Sequence, residues 1–173
     1  MHDTMKHVVV GPSRIHGNGL FAARDFRSGE RILRRNDSRL VTDDNPLGEG
    51  EHEYHCDWIA DGRVVYVQEP ERYTNHSCDP NAYVEVDEDG TRYCTARRDI
   101  SAGEEITYDY CIDMDGGIAQ PCDCGASRCR KTIHSSFFEL PPDIQTEYLP
   151  YLSLWFQERF RKRLEALKRR AAR

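Results

Sequence analysis

Residues 75–81 read Asn-His-Ser-Cys-Asp-Pro-Asn, placing an amide, an imidazole, a hydroxyl and a thiol on four consecutive positions. A second block, Glu-Glu-Ile-Thr-Tyr-Asp-Tyr, covers residues 104–110, and a third, Cys-Asp-Cys-Gly-Ala-Ser-Arg-Cys, covers residues 122–129. One block alone is a weak signal. The three together, in this order and spacing, predict the fold of most of the chain.

The three blocks resemble the signatures of the SET-domain protein-lysine methyltransferases and of the zinc-binding post-SET segment that follows them. The resemblance covers roughly residues 7–134. It implies a mainly β (α+β) SET fold of small curled sheets, in which the segment of the first block forms a pseudoknot. We expect a SET domain at 7–112, a post-SET zinc segment at 118–134 and a C-terminal helical extension at 141–173.

Composition is that of an ordinary globular protein, with 38% hydrophobic and 31% charged residues among 173. No apolar run approaches the roughly 20 residues of a membrane helix, so no membrane association is expected. Residues 1–7 lack the basic start and apolar centre of a secretory signal. We expect a protein that is not secreted, cytoplasmic if bacterial and nuclear or cytoplasmic if eukaryotic.

Charge is distributed unevenly along the chain. Residues 156–173 hold eight Lys/Arg against two Asp/Glu, a net +6, whereas residues 1–155 carry −12. An acidic body attracts basic polypeptides and repels nucleic acid. The predicted partner is therefore a protein with a basic, lysine-containing segment, histone or non-histone. Contact of the basic tail with nucleic acid is the less favoured interpretation.

Short β-branched and aromatic segments predict strands at 8–10, 63–67 and 82–86. Asp-Gly at 89–90 predicts a tight hairpin between the last of these strands and a strand from Arg92. Residues 42–53 are polar and rich in turn formers, and we interpret them as a mobile acidic loop.

The C-terminal part predicts helices. Asp143, after Pro141-Pro142, is a candidate N-cap. Apolar residues then recur at three- and four-residue steps, which predicts an amphipathic helix broken near Pro150; they are Leu152, Trp155, Phe156, Phe160, Leu164 and Leu167. Its opposite face is basic, and a solvated charged face is the favoured interpretation.

Gly17-Asn18-Gly19-Leu20 resembles the turn in which SET domains bring the backbone close to S-adenosylmethionine. Glycine allows this approach because it has no Cβ. Alone the pattern is usually a simple turn, and a nicotinamide or flavin site is disfavoured because no third glycine follows.

The resemblance adds further cofactor-binding candidates, namely Tyr54, Arg72, Asn75, His76 and Ile133. A guanidinium such as that of Arg72 suits a carboxylate. Tyr54 is also a candidate wall of the lysine channel, and Ile133 resembles the apolar position over the adenine. A buried, satisfied histidine and a surface ion pair remain open as alternatives for His76 and Arg72.

Methyl transfer to lysine needs a neutral amine, although the lysine pKa is about 10.4 in water. An aromatic channel with hydroxyl groups disfavours the ammonium form and orients the amine. Tyr108 and Tyr110 lie two apart on a predicted strand, which would place both rings on one face. Tyr110 matches the family's catalytic tyrosine, and Tyr108 the position that favours mono- or dimethylation. Ordinary aromatic core packing is the alternative for both.

One departure from the family concerns a tyrosine expected shortly after Gly29-Glu30, where the chain instead has Arg34-Arg35-Asn36. Either another aromatic side chain takes this place or the channel is built differently. A non-catalytic SET module that binds a peptide or another partner is therefore the alternative function. A third hypothesis is a zinc-dependent nucleic-acid binder that uses the basic tail.

The seven cysteines are an odd number, which favours metal binding or free thiols over a disulfide framework. Cys122, Cys124 and Cys129 have a spacing that can wrap one tetrahedral Zn²⁺. The resemblance implies Cys78 as the fourth ligand. The other three, Cys56, Cys94 and Cys111, are interpreted as small buried hydrophobic residues.

Overall fold

The computed structural model describes residues 4–117 and 119–171. Its strands, mostly short, are Val8–Pro12 (β1), Asn18–Ala22 (β2), Arg31–Arg34 (β3), Leu40–Val41 (β4), Cys56–Trp58 (β5), Val64–Tyr66 (β6), Asn75–His76 (β7), Ala82–Val86 (β8), Arg92–Ala96 (β9), Glu105–Tyr108 (β10), Gln120–Pro121 (β11) and Thr132–Ile133 (β12). The α-helices are Pro142–Tyr148 (α1), Leu154–Arg159 (α2) and Arg161–Ala171 (α3). The fold is therefore mainly β with a helical C-terminal part, as the sequence predicts.

The strands form four small sheets. Their orders are β1-β2-β10-β7, β3-β9-β8, β4-β6-β5 and β11-β12. Pairing is antiparallel except between β7 and β10, which run parallel. This parallel pair joins the first sequence block to the second and so positions the candidate site.

The predicted strands and the hairpin are confirmed. Residues 82–86 pair with residues 92–96 from Ala82 opposite Ala96 to Val86 opposite Arg92. Gly90 has φ of +81° in the connecting turn, a conformation that favours glycine. Residues 42–52 form no helix or strand, apart from a bridge between Thr42 and Asn45. The mobility of this loop stays a prediction.

Two apolar clusters stabilise the fold. The first lies among the sheets and consists of Val8, Leu20, Ala22, Phe26, Ile32, Leu33, Ala82, Cys94, Ala96, Ile100 and Ile106. The second joins the C-terminal helices to the segment after β10 and consists of Cys111, Phe137, Leu140, Ile144, Tyr148, Leu152, Phe156 and Leu164. Burial of each large apolar side chain stabilises the fold by roughly 1.5–3 kcal/mol. The helical extension is thus packed onto the segment that follows β10.

The C-terminal helices differ from the sequence prediction in two details. Asp143 is not the N-cap: α1 begins at Pro142 with Pro141 as its cap, because proline at the first helical position has no N–H to leave unpaired. The chain is interrupted near Pro150 as predicted, and again at Phe160, where φ is −109° and ψ is 22°. The ring of Phe160 lies 4.6 Å from that of Phe156 and 5.4 Å from that of Phe138. Helical periodicity alone does not reveal this second break.

Ile118 and residues 172–173, at boundaries of the predicted post-SET and C-terminal segments, lie outside the described residues. The three segment boundaries therefore stay predictions. Across 4–117 and 119–171, no helix has the length and apolarity that a bilayer crossing requires.

Candidate active site and metal cluster

The parallel pairing of β7 with β10 brings the first two sequence blocks side by side. Asn75 lies opposite Thr107 and His76 opposite Tyr108. The Ser77 amide continues the ladder by donating to the Tyr108 carbonyl at 3.1 Å. Because β10 also pairs with β2, the glycine turn that begins β2 lies on the same sheet.

The Asn75 side chain connects this turn to β7 by hydrogen bonds. Its amide nitrogen lies within hydrogen-bond distance of the carbonyls of His16, at 3.2 Å, and Asn18, at 3.0 Å, and of Glu105 Oε1, at 2.8 Å. Ser13 Oγ donates to the same carboxylate at 2.8 Å. Glu105 is thus a residue that the sequence reasoning missed, since its role depends on contacts with residues 92 and 30 positions away.

The two glycines of the turn have different reasons to be glycine. Gly17 has φ of +49°, and a Cβ there would meet nothing within 4 Å. A Cβ on Gly19 would lie 2.4 Å from Glu105 Oε1. Gly17 therefore provides an open backbone edge, and Gly19 makes room for the carboxylate that fixes Asn75.

His76 is buried and neutral. Burial lowers the pKa of His76 to about 4. The positive charge of Arg130 also lowers this pKa, whereas the negative charge of Asp109 raises it. The Tyr110 amide donates to Nδ1 at 3.2 Å, so the ring proton is on Nε2, which faces Cys78 Sγ at 3.4 Å. The His76 ring therefore links the Tyr110 backbone to Cys78.

Tyr110 lies just beyond β10, not on it. The strand ends at Tyr108, and the Asp109 carboxylate accepts a hydrogen bond from the Cys111 amide at 3.1 Å, which turns the chain. The prediction that both tyrosines lie on one strand is therefore wrong for Tyr110. Their rings are nevertheless 5.6 Å apart, so the two phenols are neighbours.

The Tyr110 hydroxyl donates to the Thr74 carbonyl at 2.8 Å, and its ring lies 5.3 Å from that of His76. The residue is still 37% exposed. Desolvation, with Tyr108 alongside, raises the pKa of Tyr110 well above its ordinary value. Tyr110 therefore keeps its proton, and part of the residue is exposed.

Tyr108 borders a buried ionic cluster that includes Arg35, where the expected family tyrosine is missing. The Arg35 side chain is only 3% exposed, and its Nη2 lies 2.7 Å from Asp57 Oδ2. Arg92 reaches the same oxygen at 2.9 Å. Burial raises the pKa of Tyr108 to about 12 although Arg35 opposes the rise. Tyr108 therefore has the Tyr110 ring as a neighbour and also feels the positive charge of the buried Arg35.

Glu71 belongs to this cluster, and its pKa is raised. Its Oε1 accepts from the Asn36 amide at 3.1 Å, and Oε2 has no hydrogen-bond partner among the described residues. Burial raises the pKa of Glu71 to about 7, Asp37 adds to the rise, and Arg35 and Arg92 oppose it.

Glu71 should make the fold less stable as pH rises. Between about pH 4.5 and pH 7 the Glu71 carboxyl is ionised in the unfolded chain but still protonated in the folded protein. The free energy of unfolding therefore falls by up to about 3 kcal/mol over this range and is constant above it. Glu71→Gln should remove this slope and be relatively more stable at pH 8. Urea unfolding at several pH values checks it, with exposed Glu49→Gln as the control. Identical pH slopes for Glu71→Gln and the wild type would contradict it.

Three candidates are less closely tied to the tyrosine pair. Tyr54 is 69% exposed, and its ring contacts among the described residues are with His52 and His55. Arg72 already pairs with Glu69 and approaches the Tyr66 hydroxyl at 3.4 Å. Ile133 is partly buried against the helical cluster. None of the contacts named here involves Tyr108 or Tyr110.

The sulfurs of Cys78, Cys122, Cys124 and Cys129 all lie within 4.8 Å of one another. Cys122 Sγ is 3.7 Å from Cys78 Sγ and 3.8 Å from Cys129 Sγ. A tetrahedron with Zn–S bonds of about 2.3 Å has S–S edges of roughly 3.8 Å. No two of the seven cysteines are bonded. The donor set and spacing therefore fit one zinc ion, and the predicted fourth sulfur is at the predicted place.

The remaining cysteines follow the prediction in two of three cases. Cys94 and Cys111 are buried. Cys56 is only half-buried, because it lies on β5 at the edge of its sheet.

A SET domain family model matches residues 17–111. Histone-lysine N-methyltransferase trr of Drosophila melanogaster is 36% identical over 140 residues, covering 74% of this chain and 6% of the relative. Histone-lysine N-methyltransferase 2B of Homo sapiens is 33% identical over 144 residues, covering 76% and 5%. The H3 lysine-36 specific enzyme of Candida albicans is 49% identical over 63 residues, covering 35% and 8%.

A solved structure of a candidate histone methyltransferase from Plasmodium falciparum is similar with a TM-score of 0.51 and 20% identity. The match covers 61% of this chain and 93% of that one. It supports the fold alone. The chain spans less than a tenth of the length of the three curated relatives named above.

Proposed function

The chain belongs to the SET domain family, and from this premise we propose that it transfers a methyl group from S-adenosylmethionine to the side-chain amine of a lysine in a protein substrate. One observation carries the proposal: the parallel pairing of β7 with β10 places Asn75 and His76 beside the Tyr108–Tyr110 pair. The proposed cofactor-binding residues of β7 and the proposed substrate-facing phenols are thus neighbours.

The turn at 17–20 and the loop at 75–76 would hold the cofactor. Gly17 leaves its backbone edge open, as close approach by a ligand requires. Asn75 keeps the turn in register, and neutral His76 adds no cationic charge next to a sulfonium. Arg72 pairs with Glu69 through Nη2, so its other donors would bind the cofactor carboxylate. Tyr54 and Ile133 would complete the proposed contact set, together with the backbone of Leu20, whose side chain is buried in the first apolar cluster.

S-adenosylmethionine supplies an activated methyl group and its own leaving group, so the protein contributes alignment and environment. Tyr110 holds its proton and can orient the lysine amine through the phenol oxygen. Tyr108 narrows the space beside that amine, which favours mono- or dimethylation. Tyr110, which is 37% exposed, would border the route by which a lysine side chain enters.

Zn²⁺ would be held by Cys78, Cys122, Cys124 and Cys129. When bound, it supplies a structural crosslink. Since Cys78 belongs to the first block and the other three to the third, the crosslink would order the cysteine-rich loop beside His76.

The acidic body favours a basic substrate segment. Two of the relatives are named for histone lysine in general and one for histone H3 lysine 36. A histone tail is therefore the first substrate to test, and in a eukaryote a nuclear location would follow.

The proposal is tested by incubating the full chain with S-adenosylmethionine labelled in its methyl group and with core histones or other lysine-rich polypeptides. Transfer of label to polypeptide supports the proposal. Cofactor binding without transfer to any of these substrates would instead support the non-catalytic module. The buried Arg35 in place of a channel tyrosine is the observation that favours this second candidate.

Gly19→Ala should weaken cofactor binding about tenfold or more. The new Cβ would collide with Glu105, which must move and give up its hydrogen bond with Asn75, the side chain that also binds the turn carbonyls. Loss of a hydrogen bond to a charged group has about this effect. Titration calorimetry with S-adenosylmethionine measures it. Gly11→Ala is the matched control, since its Cβ would meet only Phe21 at 3.7 Å. Equal affinity of Gly19→Ala and wild type would contradict the assignment of the turn.

A further inference from the structure

Two consecutive residues at the end of α1 contact the candidate site without taking part in the proposed reaction. The Glu147 carboxylate accepts from Arg97, which follows β9, and from Arg128 at 2.6 Å. Arg128 lies between Cys124 and Cys129 in the cysteine-rich loop. One carboxylate of the C-terminal extension therefore ties that loop to the sheet body.

Tyr148 makes a second contact, deeper in the protein. Its side chain is fully buried, and its hydroxyl donates to Asp109 Oδ2 at 3.1 Å. Burial raises the pKa of Tyr148 above its ordinary value, and Asp109 adds to the rise, so the phenol remains a donor. Arg130 Nη2 lies 2.7 Å from the same oxygen of Asp109. A helix, the strand end and the cysteine-rich loop thus meet at one carboxylate.

Asp109 connects Tyr148 with residues of the candidate site. It is only 2% exposed and directly precedes Tyr110. Its Oδ1 accepts from the Cys111 amide at 3.1 Å and lies 3.6 Å from His76 Nδ1. The Arg130 amide, in turn, donates to Cys78 Sγ at 3.4 Å. Movement of Asp109 would therefore shift Tyr110 and His76 and, through Arg130, the cysteine cluster.

We propose that α1 is a positioning element of the active site, in which Tyr148 holds Asp109 and Glu147 holds the cysteine-rich loop. The C-terminal extension then serves the site as well as the core. A buried carboxylate is costly unless its partners are all present, which makes the Tyr148 contact the more sensitive of the two. Glu147 is partly exposed, and its pairs are individually weaker. The catalytic part of this inference rests on the proposed function.

The test compares Tyr148→Phe and Glu147→Gln with Tyr151→Phe and Glu158→Gln in the full chain. Tyr151 is three residues from Tyr148, and its hydroxyl has no hydrogen-bond partner among residues 4–117 and 119–171. Glu158 is an exposed acid of α2. All four changes are nearly isosteric, so differences between each pair report the contact and not the volume of the side chain.

Backbone hydrogen exchange followed by mass spectrometry gives the first readout, because it requires neither substrate nor turnover. In Tyr148→Phe we expect amides of 108–112 and 122–131 to exchange about tenfold faster than in wild type, the effect of one lost hydrogen bond to a charged group. Glu147→Gln should accelerate only 122–131. The second readout is kinetic: in Tyr148→Phe, KM for S-adenosylmethionine should rise about tenfold through His76 and the cysteine-rich loop, and kcat should fall about fivefold through Tyr110.

The inference is overturned if Tyr148→Phe matches Tyr151→Phe in both local exchange and KM. A lower melting temperature with unchanged local exchange and unchanged KM also overturns it, because the role is then only structural. Faster local exchange in a protein whose wild type transfers no methyl group would keep the positioning contact and reject the proposed function.

Discussion

Replacement of Tyr110 by phenylalanine is expected to lower the rate of methyl transfer by about a hundredfold or more, within the range for losing a positioned catalytic group. The change removes one oxygen and keeps the ring between His76 and Tyr108. Affinity for S-adenosylmethionine should stay within about twofold of wild type, since the proposed cofactor contacts lie on the turn at 17–20 and on β7. Initial rates with labelled cofactor and a separate binding titration measure the two quantities.

Tyr93→Phe is the matched control. Tyr93 lies on β9, where its ring packs under the Arg31 guanidinium at 3.8 Å, away from the tyrosine pair. Its variant should transfer methyl at the wild-type rate. A Tyr110→Phe enzyme as fast as this control would show that the phenol at position 110 takes no part in the reaction.

Cys124→Ser is expected to have the second large effect. Cys124 Sγ is one of four sulfurs that all lie within 4.8 Å of one another, so the substitution removes one of the four proposed metal ligands. Substitution should reduce bound zinc from about one ion per chain to nearly none and unfold the cysteine-rich loop, because ligand binding and local folding are coupled. Methyl transfer should fall about a hundredfold, in line with the loss of a site-ordering element.

Metal content by mass spectrometry, near-ultraviolet circular dichroism and transfer rate together check this result. Cys56→Ser is the control, because Cys56 is half-buried and lies outside the four-sulfur cluster. A chelator should reproduce the Cys124→Ser result in wild type, and added Zn²⁺ should reverse it. Full zinc content and full activity in Cys124→Ser would refute the assignment of the cluster.

The parts of the molecule that sequence predicts best are those with a local cause. The hairpin before Arg92 follows from Asp-Gly chemistry, and the strands from β-branched residues. The grouping of Cys78 with the third block needed the family resemblance, because spacing says nothing about a residue 44 positions away. The apolar positions of the C-terminal helices were also correctly predicted, since all of them join one cluster.

The parts that were not predicted depend on distant contacts. Arg35 looks like a surface residue in the sequence, yet it is buried because Asp57 neutralises it from another sheet. Asp109 and Tyr148 are 39 residues apart and meet only when the extension folds back. Tyr110 was placed on a strand because periodicity does not register the Asp109 turn. Such contacts leave no periodic pattern for single-sequence reasoning to find.

The proposed reaction also accounts for the way the site is divided. The proposed cofactor side contains the glycine turn, Asn75 and neutral His76, and the proposed substrate side contains two phenols next to a buried ionic cluster. A neutral amine and a donor methyl group would meet between them. The arrangement is compatible with methylation of a lysine.

The most direct test is to identify the modified atom. Core histones are incubated with the wild-type chain and with S-adenosylmethionine carrying a deuterated methyl group, and the digested product is sequenced by tandem mass spectrometry. We predict one or two deuterated methyl groups on a lysine side-chain nitrogen, and none when Tyr110→Phe replaces wild type. Deuterated methyl groups on another residue type, or on lysine equally with both proteins, would contradict the account.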